Sequence, residues 1–371
     1  MTEERKSSTS NTPKFEILKK PISEDDEIKA FCKRLPKIEL NANLTGCLSV
    51  STVVRLYDRH PCEEKLNKYL DYFHSPKSFE RYKKLYAMND WLIGTPECIT
   101  IAVCDVIREF LDDNICYLEL KVTPQFIGTT LSKEQYIMSV INAVRLSEAM
   151  LPRIMVKIIF SINRADNYAD CLDTCTLVFK YYKQYPELIV GIQLYGDPFY
   201  NNSYLNLLKI CREYDLKIIM NCAEIPNHSE TWEMIDFKPE RLTHCTCVHA
   251  TFNGADYLFE KLLESEIPVE LCLTYDVDVN NVTTYREHIF KYLYQNKHPI
   301  SISTRDKGIC KTTLSEEYAI AAINFNLSKK DLLDLSKSTI KQISINEKEK
   351  DILYHIFTNF EQDEQFETKM F

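Results

Sequence analysis

Short apolar runs rich in Ile, Val, Leu and Tyr recur along this chain, separated by stretches with helical spacing. The runs fall at 37–43, 115–122, 154–162, 189–195, 217–220, 241–245, 268–273 and 300–304. Each is short, β-rich and nearly continuous in its apolar character, which predicts a strand buried on both faces. Between them, 133–150 and 204–214 among others place apolar residues three and four apart, which predicts amphipathic helices. Eight such strand–helix units predict a parallel sheet, and over this length a closed, TIM-like (β/α)8 barrel. An open doubly wound sheet is the alternative, but no glycine-rich phosphate loop follows the first strand.

The remaining segments decorate that barrel. Residues 1–22 are polar and predict disorder, and a short helix runs from the acidic stretch Glu24-Asp25-Asp26-Glu27 to about Arg34. Residues 50–114 predict a long helical insertion after the first strand, placed to hang over the barrel mouth as a lid. Within it, Thr95-Pro96-Glu97 has an N-cap, a first-turn proline and an acid at the positive helix end. Residues 313–360 predict further helices and 361–371 an acidic tail, so that 23–360 is expected to be one domain.

Composition narrows the function classes. The 371 residues carry a net charge of −9 with no Lys/Arg stripe, which argues against nucleic-acid binding. No apolar run reaches membrane-spanning length, and residues 1–13 have no apolar signal region. A cytoplasmic monomer with its 14 cysteines reduced is therefore expected. In His244-Cys245-Thr246-Cys247-Val248-His249, alternate residues would share a face if the strand continued, but no Cys-x-x-Cys spacing accompanies them, so packed thiols are expected. Glycine is scarce, at 7 residues, and Gly46, Gly196 and Gly308 fall just past predicted strand ends, where backbone turns or approaches a ligand.

Chemistry in a parallel barrel sits at the C-terminal strand ends. The polar residues there are Asn41, Asn43 and Thr45; Lys121 and Thr123; Asn163 and Arg164; Gly196 and Asp197; Asn221 and Glu224; His244; Thr274 and Asp276; Arg305 and Asp306. Asn41 and Asn43 lie two apart, so both side chains point the same way. Two carboxylates and a histidine converging on one cavity suit acid–base chemistry on a polar small molecule.

The order of motifs resembles the adenosine deaminase family, most closely its adenosine-deaminase-like branch acting on N6-substituted purine monophosphates. The resemblance runs from about Leu35 to about Ala322. It is carried by Pro36-Lys37-Ile38-Glu39-Leu40, Tyr117-Leu118-Glu119-Leu120 and Gly191-Ile192-Gln193-Leu194-Tyr195-Gly196-Asp197-Pro198. It continues in Glu224-Ile225-Pro226-Asn227, Pro239-Glu240-Arg241-Leu242-Thr243-His244, Glu270-Leu271-Cys272-Leu273-Thr274 and Asp306-Lys307-Gly308. The resemblance implies a barrel of the metallo-dependent hydrolase type and one zinc held by three histidines and an aspartate. The matching positions here are Asn41, Asn43, Asn221 and Arg305, none of them a usual zinc ligand.

The non-ligand machinery matches better. By the same resemblance, Glu224 corresponds to the acid that protonates the purine ring and His244 to the residue orienting the attacking water. Asp306 corresponds to the carboxylate contacting the purine and Gly196 to a backbone donor to the base. Thr45, which replaces the family's aspartate or asparagine, and Thr123 are expected to line the substrate site with them.

Zinc would lower a bound water's pKa from about 15.7 to about 7, worth about 12 kcal/mol, which amides cannot supply. The family's zinc and aspartate leave a single net positive charge, and Arg305 alone gives the same. Arg305 is thus expected to occupy the metal's space and pair with Asp306 or Glu224. No cofactor is expected, and the ligand implied is a purine nucleoside or nucleoside monophosphate bound without turnover. Two alternatives stand beside this: an active zinc-type deaminase, and a scaffold whose pocket is narrowed by Thr45, Tyr195 and Tyr275.

Overall fold

The computed structural model describes residues 23–59, 63–126, 131–200 and 202–369. The segment 1–22, expected to be disordered, lies outside them. The strands are β1 (Lys37–Asn43), β2 (Ile115–Val122), β3 (Met155–Asn163), β4 (Ile189–Tyr195), β5 (Lys217–Cys222), β6 (Arg241–His244), β7 (Val269–Leu271) and β8 (Ile300–Ile302). They form one sheet in sequence order, and each pairs in parallel with the next. The ring closes where Ala42 bridges Arg305 and the Asn43 N–H donates to the Arg305 carbonyl at 2.8 Å. The barrel expected from the apolar runs is the fold, because strands buried on both faces require helices outside and a packed interior.

That interior carries charge as well as hydrocarbon. Arg241 Nε donates to Glu270 Oε1 at 2.6 Å, and its guanidinium also pairs with Glu119. Lys121 Nζ reaches Glu270 Oε2 at 2.5 Å, and the Tyr117 hydroxyl donates to Glu119 at 2.9 Å. All five side chains are buried. Burial pushes Glu119 up, whereas Lys121 and Arg241 outweigh burial and hold Glu270 below the usual range. The lysine at the end of β2 therefore serves the barrel interior.

Two strand ends differ from expectation. β6 stops at His244 because His244 and Cys245 both adopt left-handed backbone, with φ of 71° and 57°. Pairing cannot continue through such residues. Cys245, Cys247 and His249 consequently do not share a strand face, since a 3-10 turn covers Thr246–Val248. β7 is likewise short, and a helix spans Leu273–Asp278, so Thr274 and Asp276 are carried by a helix instead of a strand. The described cysteines are free thiols, buried except for the half-buried Cys104. Burial pushes Cys32 up to about 12.

Four helices separate β1 from β2: Val50–Tyr57, Glu63–His74, Phe79–Leu92 and Pro96–Asp112. The last begins as its sequence predicted, with Thr95 capping the Cys98 N–H at 3.2 Å. It packs beside Lys133–Met150 as an ordinary member of the outer ring. Phe79–Leu92 is the helix that lies across the mouth. At the other end of the chain, Glu347–Lys369 is a single helix, so 361–369 continues it and is not an extended tail. No described helix is long and apolar enough to cross a membrane.

Leu314–Phe325 opens on a capping box, Thr313 with Glu316, and buries Glu317. Glu317 accepts from the Thr274 N–H at 3.1 Å and the Thr312 hydroxyl at 2.8 Å, yet burial pushes its carboxyl up to about 7. The native state therefore holds this proton more tightly than the unfolded chain. Its contribution to stability is fully present below the ordinary carboxyl pKa and is lost as pH rises to about 7. Glu317→Gln should flatten that slope and leave the variant more stable than wild type at pH ~8 by about 1–3 kcal/mol. Urea unfolding across pH ~4–8 measures it; parallel slopes in the two proteins would refute the assignment.

Candidate functional site

The mouth cavity has a volume of about 290 Å³, at the lower end of the range for small-molecule pockets. Phe79, Tyr82, Lys83, Tyr86 and Asp90 line one side, from the helix over the mouth. Tyr195, Gly196 and Asp197 line the other, and Glu224, Tyr275 and Arg305 lie at its floor. Lys83 Nζ pairs with Asp197 Oδ2 at 2.7 Å, tying that helix to the loop after β4.

Three of the expected residues meet at the floor. Arg305 stands just past β8 with a left-handed φ of 56°. Its guanidinium carbon stacks 3.7 Å above the Tyr275 ring, which fixes the plane of the fork. Arg305 Nε lies 3.6 Å from Asp306 Oδ2, and Nη1 lies 3.9 Å from Glu224 Oε2. Burial works against the Arg305 charge, but Tyr275, Asp306 and Glu224 outweigh it and hold the guanidinium above its ordinary pKa. The cation expected beside two carboxylates is present.

Each carboxylate is held from behind. Glu224 Oε1 accepts from Asn221 Nδ2 at 3.0 Å, and Asn221 Oδ1 accepts from Gln193 Nε2 at 2.9 Å. Asp306 Oδ1 accepts from Asn43 Nδ2 at 3.0 Å and from the Tyr86 hydroxyl. Burial nevertheless pushes Asp306 up, against the pull of Arg305 and these donors. Gly46 explains how β1 comes so close: a Cβ there would land on the Asp306 carboxylate. At Gly196 φ is +123°, and a Cβ would collide with Asn163 Oδ1.

His244 is buried behind Glu224, with Nε2 at 3.6 Å from Glu224 Oε2. Its Nδ1 lies 3.2 Å from Asp276 Oδ1, and Asp276 Oδ2 lies 3.0 Å from His288 Nε2. His288 Nδ1 accepts from the Phe290 N–H at 3.1 Å, so its Nε2 carries the proton given to Asp276. Asn281 Nδ2 adds a further bond to Asp276 Oδ1 at 2.9 Å. Burial alone would raise Asp276, but His244 and His288 hold it well below the carboxylate range. An ionised Asp276 accepts from His244 Nδ1–H, which in the neutral ring leaves Nε2 as the acceptor turned toward Glu224.

Of the other expected residues, Gly196 and Asp197 line the mouth cavity, and the threonines lie beside it. Thr45 and Thr123 line a separate cavity of about 30 Å³ with Asn43, Asp90 and Tyr195, beside the mouth pocket. Asp90 borders both cavities, and burial pushes it up to about 6. Arg164 is occupied by Glu230 at 3.2 Å. Among residues the sequence did not single out, Tyr86, Asp90, Asn281 and His288 all touch the site or its supports. Tyr86 ends the aromatic stretch 79–86 of the inserted helices, the one local signal pointing to any of them.

The donor set does not suit zinc. Asn41 gives its Nδ2 to Cys272 Sγ at 3.3 Å, Asn43 gives its Nδ2 to Asp306, and Asn221 gives its Nδ2 to Glu224. Those amides present N–H groups to their neighbours, and a guanidinium stands between the carboxylates. Asn41 Oδ1 is a buried acceptor without a partner, but one neutral oxygen is a poor ligand for zinc. Among the described residues no cluster of three or more His, Cys, Asp or Glu side chains could hold a metal ion.

Comparison with known proteins gives a consistent picture. The family model described as adenosine deaminase matches residues 36–358. N6-Methyl-AMP deaminase of Danio rerio is 32% identical over 328 residues, covering 85% of this chain and 92% of the relative. Arabidopsis ADAL complexed with IMP superposes with a TM-score of 0.80 at 29% identity, over 89% of this chain and 98% of that one. The same protein complexed with GMP gives 0.80 at 28% identity, with coverage of 89% and 98%.

Proposed function

Because the chain belongs to the adenosine deaminase family, we propose that it is a metal-free member that binds purine nucleoside monophosphates without hydrolysing them. The observation that carries this reading is Arg305, stacked on Tyr275 and set between Glu224 and Asp306. A fixed cation there offsets the charge of two carboxylates that would otherwise need a metal or a proton. It also repels a divalent ion: at about 4 Å a single and a double positive charge oppose each other by about 8 kcal/mol at an effective dielectric of about 20.

Hydrolysis at the purine 6-position needs an activated water. The retained His244, supported by Asp276, can act as a general base, and general-base catalysis contributes about 10²–10⁴-fold. That is about 3–5 kcal/mol, short of the ~12 kcal/mol a metal-bound hydroxide supplies. What remains is recognition. Aromatic walls from Tyr86, Tyr195 and Tyr275 suit a flat base, and polar groups at the floor suit its edge. Relatives solved with IMP and GMP support the ligand class.

Two measurements on purified protein test the proposal together. Elemental analysis should find far less than one zinc per chain. Thermal unfolding with IMP, GMP and AMP should show at least one of them raising Tm by about 2 °C or more at saturating ligand. A full zinc equivalent accompanied by turnover of N6-methyl-AMP would overturn the reading in favour of an active deaminase. No shift with any purine nucleotide would leave a scaffold.

A further inference from the structure

Resting on the purine-binding reading above, we infer that the hydrogen-bond polarity set by Arg305 and Glu224 makes this pocket select 6-oxopurines over 6-aminopurines. Polar atoms at the floor are left unspent. Arg305 Nη1, Asp306 Oδ2 and His244 Nε2 are buried and have no hydrogen-bond partner. Glu224 Oε2 has His244 and Arg305 only at 3.6 and 3.9 Å, beyond hydrogen-bond length. Buried polar groups are normally paired, so several unpaired ones around one floor mark a place where a ligand completes the network.

Their neighbours set the signs of these groups. A guanidinium nitrogen can only donate. As a carboxylate facing the Arg305 cation, Glu224 accepts at Oε2, and the Asn221 bond to Oε1 keeps it in place. In the neutral ring, His244 Nδ1–H donates to Asp276 and Nε2 accepts. The ligand edge must therefore offer an acceptor to Arg305 beside a donor to Glu224. An anion is a poor choice for the acceptor, since the Asp306 and Glu224 carboxylates flank the guanidinium at 3.6 and 3.9 Å. A neutral carbonyl oxygen fits.

A 6-oxopurine has this edge: O6 accepts, and the adjacent N1–H donates. A 6-aminopurine has the reverse, with N6–H donating and N1 accepting. Bound in the same pose, it sets N–H against N–H at Arg305 and a lone pair against the carboxylate at Glu224. Two unpaired or opposed hydrogen bonds in a buried site discriminate strongly. Stacking on Tyr275 holds the guanidinium plane, so the fork cannot readily rotate away to accommodate the wrong edge.

Calorimetric titration of the full chain at one pH with IMP, GMP, AMP and N6-methyl-AMP tests this. IMP and GMP should bind at least tenfold tighter than AMP. In Glu224→Gln, the Asn221 bond should keep the amide oxygen at the Oε1 position and turn the N–H₂ toward the ligand. The IMP-to-AMP preference should then shrink tenfold or reverse. Arg305→Met should lower IMP affinity more than AMP affinity; if that variant does not fold, Glu224→Gln decides. Equal affinity for IMP and AMP in the wild type, tighter AMP, or an unchanged preference in Glu224→Gln would overturn the inference and leave purine binding intact. Absence of binding by all four nucleotides would overturn both.

Discussion

Changing Asn41, Asn43 and Asn221 to histidine and Arg305 to aspartate together should give a variant that retains about one zinc per chain through dialysis, where the native chain should retain far less. The direction follows from the donor set. Three imidazoles and a carboxylate are good zinc donors, whereas the native amides are poor ones and already spend their N–H groups on Cys272, Asp306 and Glu224. Arg305 is the decisive position among the four. With the three histidines in place but the guanidinium retained, the cation still opposes the metal, so this triple variant should bind zinc at least about 10²-fold more weakly than the quadruple one.

The floor geometry suits such a conversion. Asn41 and Asn43 are on β1, Asn221 is on β5, and Arg305 follows β8 where the barrel closes. The readouts are metal content after dialysis and the fall in Tm on adding a chelator, both of which register binding without any turnover. A folded quadruple variant that retains no zinc would show that more than the ligands has changed. A wild-type chain that takes up a full equivalent would show that the amides and Arg305 do not exclude the metal.

Removing the guanidinium of Arg241 should have the largest effect on stability. Arg241 is 1% exposed and holds Glu119 and Glu270, both fully buried. Arg241→Met keeps much of the side-chain volume but strips Glu119 of its paired cation and leaves Glu270 with Lys121 and the Thr243 hydroxyl. Breaking one partner of a buried ion network costs about 3–5 kcal/mol, against a total stability of about 5–15 kcal/mol for a typical protein. Denaturant unfolding should show that loss. Adding Glu119→Gln to Arg241→Met should recover part of it, because the second substitution removes the stranded charge and keeps an acceptor for Tyr117. A loss below about 1 kcal/mol for Arg241→Met would mean that the carboxylates find other partners or protons without difficulty.

These two experiments probe different layers of the same barrel, and the sequence exposed the layers unequally. β2 at Ile115–Val122 and β4 at Ile189–Tyr195 coincide with the predicted runs, as does the helix Lys133–Met150. Hydrophobic periodicity is a local property, written within one segment. The cap at Thr95 is local too. The charged layer of Glu119, Lys121, Arg241 and Glu270 was hidden within runs that look apolar. Its meaning depends on partners 122, 149 and 29 residues apart in the chain.

Strand ends were less legible than strands. The left-handed backbone at His244 ended β6 early, and the turn after β7 became a helix carrying Asp276. Only the folded chain could show that Asp276 joins His244 to His288, or that Tyr86 and Asn43 share one oxygen of Asp306. The sequence by itself determined the eight-unit barrel and the placing of amides and an arginine at its C-terminal strand ends, because residue identity and periodicity are one-dimensional. Tertiary structure decided which way each polar group points: Asn43 and Asp306 meet across 263 residues, and the donors and acceptors of a pocket acquire an order only when the ring closes.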